Sequence, residues 1–144
     1  MRQLQKNIST MAQAQEATIR VTNLRLRTYI GFNPEEKIKK QDVVINLEIK
    51  YRLTDQVLDD QVNEVINYKV ITKKVIEYVE VGRFLLLEKL VGDVLALCSE
   101  HPSVSWSRVT IDKPHALRFA DSVSLTLEHS PQTTRQFNVM EKAS

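Results

Sequence analysis

The sequence holds one cysteine, Cys98. An internal disulfide is therefore excluded, and a lone thiol on an apolar helical face acts as a small hydrophobe, which fits a reducing compartment. Glycine is scarce: Gly31, Gly82 and Gly92 are all there is, and none opens a phosphate-cradling loop. That removes P-loop and dinucleotide-binding enzymes at the level of motif. His101, His115 and His129 form no close pair, and with a single cysteine they offer no zinc constellation. No serine stands in a nucleophile elbow. No apolar run reaches the length of a membrane span. The first residues lack the hydrophobic region of a secretion signal, so a cytoplasmic protein is expected. The net charge is only +2, from interspersed charges whose longest basic cluster, Lys37-Ile38-Lys39-Lys40, suits a solvated loop. This excludes a polybasic nucleic-acid binder.

What is present is an ordinary globular composition. At 144 residues, 42% of them apolar, one modest core in one domain is expected, over residues 17–129. Residues 1–16 are polar and aperiodic and read as a disordered arm, in which Met11 is an alternative start. Residues 130–144 read as a flexible tail. Residues 18–31 predict a strand whose apolar parity switches at Thr22-Asn23, the mark of a β-bulge. Gly31-Phe32-Asn33-Pro34 is turn chemistry. Residues 42–53 alternate Val43, Ile45, Leu47, Ile49 and Tyr51 against polar neighbours, the clearest half-buried strand in the chain. A polar loop covers 54–64. Helical spacing follows over 67–80 and again over 83–100, with Gly82 as the break between them. Residues 104–113 and 120–129 read as two further strands. The order β-β-α-α-β-β predicts an α+β fold: a four-stranded antiparallel sheet with two helices on one face. Its open edges invite pairing between subunits.

Four places could carry chemistry. Glu88 falls within the stripe Phe84, Leu87, Val91, Val94, Leu95, Cys98 expected on the second helix. A carboxylate there needs a partner, either a basic side chain from elsewhere or a ligand that supplies donors. Tyr68 follows Asn67 at a helix start, where a capping aromatic is the ordinary reading. Lys113 closes an apolar strand before Pro114. With His115 and Arg118 it makes a cationic cluster that is either plain surface charge or a seat for an anionic substrate arm. Glu36, in the turn after Pro34, is by itself only a loop carboxylate.

Asn67-Tyr68, Arg83-Phe84-Leu85-Leu86-Leu87-Glu88-Lys89-Leu90 and Ile111-Asp112-Lys113-Pro114 together resemble the dihydroneopterin aldolase family. The run from Asp112 to Ser124, with Leu24-Arg25-Leu26-Arg27-Thr28 and Ile30-Gly31, resembles most the branch that epimerises dihydroneopterin triphosphate at C2′. The resemblance implies a tunnelling fold, in which subunit sheets join edge to edge into a ring-shaped barrel. Two stacked tetrameric rings make a homo-octamer, with sites between subunits. It further implies that Glu88 anchors the pterin's amino-pyrimidine edge, helped by the backbone of Leu87. Tyr68 comes from the neighbouring subunit, Lys113 is the acid-base lysine working through a water, and Glu36 completes the site. His115 and Arg118, with Lys73 or Lys74, are expected at the triphosphate.

The implied reaction is a reversible retro-aldol: a base takes the C2′ hydroxyl proton, the C2′–C3′ bond breaks, and the ring accepts the electrons. The ring is then the electron sink, and no metal or organic cofactor is required. Re-addition of the aldehyde gives the C2′ epimer, whereas its release is the aldolase outcome, glycolaldehyde and 6-hydroxymethyl-7,8-dihydropterin in folate biosynthesis. A non-catalytic pterin-binding assembly protein is the reading from another class. Zinc-dependent enzymes of the same fold would need a histidine triad that this sequence lacks.

Overall fold

The computed structural model describes residues 16–55, 60 and 66–131. The arm expected over 1–16 and the tail expected over 130–144 lie, apart from Glu16, Ser130 and Pro131, outside the described residues. So does most of the loop expected over 54–64. Five strands and three helices are described: β1 (Glu16–Ile30), α1 (Pro34–Ile38), β2 (Gln41–Arg52), α2 (Tyr68–Val81), β3 (Arg83–Phe84), α3 (Leu87–Cys98), β4 (Val104–Pro114) and β5 (Ser122–His129). The sheet runs β3-β1-β2-β4-β5. The four long strands are antiparallel, and the two-residue β3 lies parallel to β1.

Period-two patterning sets the register. Val43, Ile45, Leu47 and Ile49 of β2 are all buried. Across from them, β1 turns Ile19 and Val21 inward, slips register between Val21 and Leu24, and then buries Leu26 and Ile30 on the other parity. Asn23 takes the left-handed backbone of the expected bulge, at φ 55°. On β4 the inward row reads Ser107, Val109, Ile111 and then Lys113, so the lysine occupies the last place in a core-facing series.

The helices cover this inward face, α2 over β1 and α3 over β4 and β5. Asn67 caps α2, its side-chain oxygen accepting from Lys69 N at 3.1 Å and Val70 N at 3.3 Å. The Tyr78 hydroxyl donates to Asp93 and so links α2 to α3. Gly82 ends α2 as expected: a Cβ there would come within 2.4 Å of the Phe84 ring. The buried Thr28 hydroxyl donates to Val79 O at 2.6 Å, which fixes the end of α2 onto β1.

Two expectations are corrected. The second helix starts at Leu87, not at residue 83, because Leu86 is extended at φ −118° and ψ 138°. Arg83 and Phe84 instead form a fifth strand beside Tyr29 and Ile30. Phe84 is buried through that strand and through the Tyr78 ring 5.6 Å away. Its helical spacing from Leu87 and Val91 is therefore coincidental. β3 covers only the tip of the sheet edge; from Glu16 to Thr28 the outer edge of β1 pairs with no other described strand.

Candidate active site

Lys113 and Glu36 meet where β4 ends beneath α1. Lys113 Nζ donates to Glu36 Oε2 at 2.8 Å, with side chains 14% and 21% exposed. The lysine reaches this spot because it continues the buried row of β4. The glutamate reaches it because α1 is a helical turn, not the loop the sequence implied. In that turn Glu36 follows the cap residue Asn33 by three, and its Oε1 accepts from Asn33 N at 3.4 Å. Gln41, the first residue of β2, braces the pair: its Nε2 donates to Glu36 Oε2 at 3.0 Å and to Ile30 O at 2.6 Å.

Gly31 makes room. Its φ of 131° suits glycine, and an added Cβ would fall 2.1 Å from the Glu36 carboxyl carbon. Its amide donates to Phe84 O at 2.9 Å, which ties the turn to β3. The hydrogen bond from Lys113, against the opposing effect of burial and with further help from Gln41, holds the Glu36 carboxyl below the usual carboxylate range. The result is a fixed carboxylate–ammonium pair. Beside it a cleft of about 260 Å³ is lined by Tyr29, Gly31, Glu36, Arg83, Phe84 and Leu85.

Leu87 and Glu88 open α3 just beyond that cleft. Their backbone N–H groups belong to the first helical turn, where amides lack partners within the helix. Here the third correction falls. Glu88 is exposed and lies outside the buried stripe of Leu90, Val91, Val94, Leu95 and Cys98. With the helix beginning at Leu87, Glu88 sits in its first turn, where the helix dipole favours a carboxylate without any apolar surround. Among the described residues it has no ion-pair partner. Lys113, the cation that ends β4, is committed to Glu36.

Tyr68 is 53% exposed at the start of α2. It lines a separate cavity of about 480 Å³ with Ile19, Val21 and Tyr51. Glu36 lies beyond the other end of β1, so roughly 30 Å of strand separates the two within one chain. Lys74 pairs with Glu100 at 3.5 Å near the Tyr68 end, and Lys73 is exposed on the same helix. His115 follows Pro114 in left-handed backbone at φ 65°. Arg118 is exposed and stands 5.5 Å from the ring of Phe119, itself 95% exposed. Sequence reading missed Gln41, since a polar residue at a strand start gives no signal of its own. It caught Gly31 only as a turn.

A fixed lysine–glutamate pair beside a cleft offers groups for acid-base chemistry, and Glu88 adds an exposed carboxylate at the start of α3. The sequence model of the dihydroneopterin aldolase family (FolB) matches residues 19–128, and the chain belongs to that family. Within it, the chain is 51% identical over 111 residues to the dihydroneopterin triphosphate 2′-epimerase of Pseudomonas aeruginosa, spanning 77% of this chain and 90% of that one. It is 50% identical to the enzyme of the same name from Escherichia coli K12, spanning 77% and 92%. The fold matches the crystal structure of E. coli dihydroneopterin aldolase in complex with neopterin at a TM-score of 0.73 and 25% identity, covering 79% of this chain and 99% of that one. No helix among the described residues is long and apolar enough to cross a membrane.

Proposed function

We infer that this chain is an isomerase, a dihydroneopterin triphosphate 2′-epimerase of the dihydroneopterin aldolase family. The observation that carries the reading is half-identity to two such epimerases over nearly their whole length. The Lys113–Glu36 pair supports it chemically.

Inverting C2′ requires that carbon to become trigonal. Loss of the C2′ hydroxyl proton, relayed through a water beside Lys113 toward N5, makes it an aldehyde carbon, and the bond that breaks is C1′–C2′, not the C2′–C3′ bond first expected. The electron pair then passes through C1′ into the C6=N5 bond of the dihydropterin, and N5 takes a proton. Scission at C2′–C3′ would strand a carbanion on C3′ with no conjugation. Protonated Lys113 lies in the right chemical state to polarise N5 through a water. Glu36, its carboxyl held below the usual carboxylate range, fixes the ammonium through their 2.8 Å hydrogen bond. Glu88 and the Leu87 backbone hold the amino-pyrimidine edge by charge-assisted hydrogen bonds. Re-addition to the other face of the aldehyde returns the C2′ epimer, and escape of the two-carbon fragment is the aldolase side reaction.

Tyr68 cannot reach Lys113 of its own chain across the length of the sheet, so it serves the site of a neighbour. The edges of β1 and β5 that pair with no other described strand are suited to closing a ring, and an octamer of two stacked tetramers in the cytoplasm is the assembly we favour. Residues 17–129 form its single domain. The deciding experiment is product analysis with dihydroneopterin triphosphate. Recovery of the C2′ epimer is expected. Glycolaldehyde-type cleavage with no epimer would make the protein an aldolase, and neither product would remove the enzymatic reading.

A further inference from the structure

We propose that the triphosphate of the substrate is held in a cavity of about 600 Å³ at the end of the sheet where β1, β2 and β4 meet, lined by Arg25, Arg27, Lys40 and His115. The inference deepens the epimerase reading and rests on it. The cavity starts where the reaction ends: its Pro114 and His115 directly follow Lys113 in the chain. The triphosphate sits on C3′, one bond from the carbon that inverts, so its seat must adjoin the lysine.

Three permanent cations face the space. Arg25 and Arg27 share the outward parity of β1 after the bulge, so the register slip at Asn23 is what aims both at the cavity. Arg25 has no ion-pair or hydrogen-bond partner among the described residues. Arg27 donates to Lys40 O at 3.1 Å and stands 3.8 Å from Asp42. Lys40 Nζ donates to Glu80 O at 3.4 Å. These are weak engagements that a polyanion can displace. Two acids, Asp42 and Glu80, also line the cavity and oppose an anion. Asp42 already faces Arg27, and we assign it the part of holding that guanidinium in place while the site is empty. His115 is fixed at the rim by left-handed backbone, a conformation non-glycine residues adopt at a cost and retain where function holds it. Arg118, expected at the triphosphate from sequence, does not line this cavity.

Inorganic tripolyphosphate is the probe. It should bind the assembled wild-type enzyme and compete with dihydroneopterin triphosphate. In the Arg25→Ala/Arg27→Ala double variant, tripolyphosphate binding should weaken about tenfold or more. The preference for triphosphate over unphosphorylated dihydroneopterin, as a ratio of kcat/KM values, should fall by a similar factor. Asp42→Asn should tighten tripolyphosphate binding by removing an opposing charge. Arg25→Ala alone, at an exposed position with no described partner, guards against a folding failure of the double variant. Unchanged tripolyphosphate binding in a folded variant overturns the proposal, as does a wild type that does not bind tripolyphosphate. A wild type that binds tripolyphosphate but makes no C2′ epimer instead sinks the epimerase reading itself.

Discussion

Glu36 and Glu88 are the two carboxylates we assign to the site, and the chain treats them oppositely. Glu36 is packed, accepts from three donors and is locked to Lys113. Glu88 stands in solvent on the first turn of α3 with no described partner. The Lys113–Glu36 pair is thus complete in a single chain, whereas Glu88, which we assign to ligand recognition, has no ion-pair partner among the described residues. The physical reason lies in placement. Lys113 inherits its burial from a strand whose inward row is fixed by the core. Glu88 inherits only a helix start. A pair built this way holds the lysine and the carboxylate oriented within a single chain.

The comparison breaks hardest at the pair. Lys113→Ala should lower kcat by about 10²–10⁴-fold, the range for a lost general acid-base group, as read by epimer formation. Gly31→Ala should act almost as strongly without touching a reacting group, because its Cβ would displace the Glu36 carboxylate and its φ of 131° strains any side chain. A stability loss of about 1–3 kcal/mol in a denaturant titration should accompany the fall in rate.

Glu88→Gln sharpens the contrast from the other side. Affinity for neopterin should drop about tenfold or more while the melting temperature stays within error, since no ion pair among the described residues uses that carboxylate.

Acidity probes the packed carboxylate more finely. Glu36 has its pKa depressed in the folded state, so its contribution to stability is present in full above the ordinary carboxylate range. It is lost as pH falls through the depressed value. The stability gap between wild type and Glu36→Gln should therefore close in acid, as read in urea titrations across pH.

The smallest effect is at Cys98, whose burial on α3 pushes its thiol up to about 12. Iodoacetamide at pH 8 should leave it unmodified until the protein unfolds.

The strands were legible because period-two patterning is a direct print of burial: β2 and the bulge in β1 both follow from it. Gly82 ended α2 as its position foretold. The misreadings share one cause, local spacing outvoted by tertiary context. Phe84 lies at helical intervals from Val91 yet packs from a strand, and that shift of the helix start moved Glu88 out of the apolar stripe. Lys113 was legible as a residue but not as a partner. Its contact with Glu36 joins residues 77 positions apart, and no local pattern encodes that pairing. Glu36 looked like a loop acid because the one-turn helix that aims it is too short to show a period. The opposite placement of Tyr68 and Lys113 is equally invisible in the sequence, since it emerges only when β1 is laid out along its length.

The claim on which everything turns is that Lys113 of one copy works with Tyr68 of another. Co-expressing Lys113→Ala and Tyr68→Ala chains, each inactive alone, measures it directly. Mixed assemblies should regain about a quarter of wild-type epimerase activity, the share of seams that unite an intact lysine with an intact tyrosine under random symmetric assembly. Mixtures as inactive as either parent, in assemblies shown to contain both chains, would contradict a shared site and place both groups in the service of one subunit.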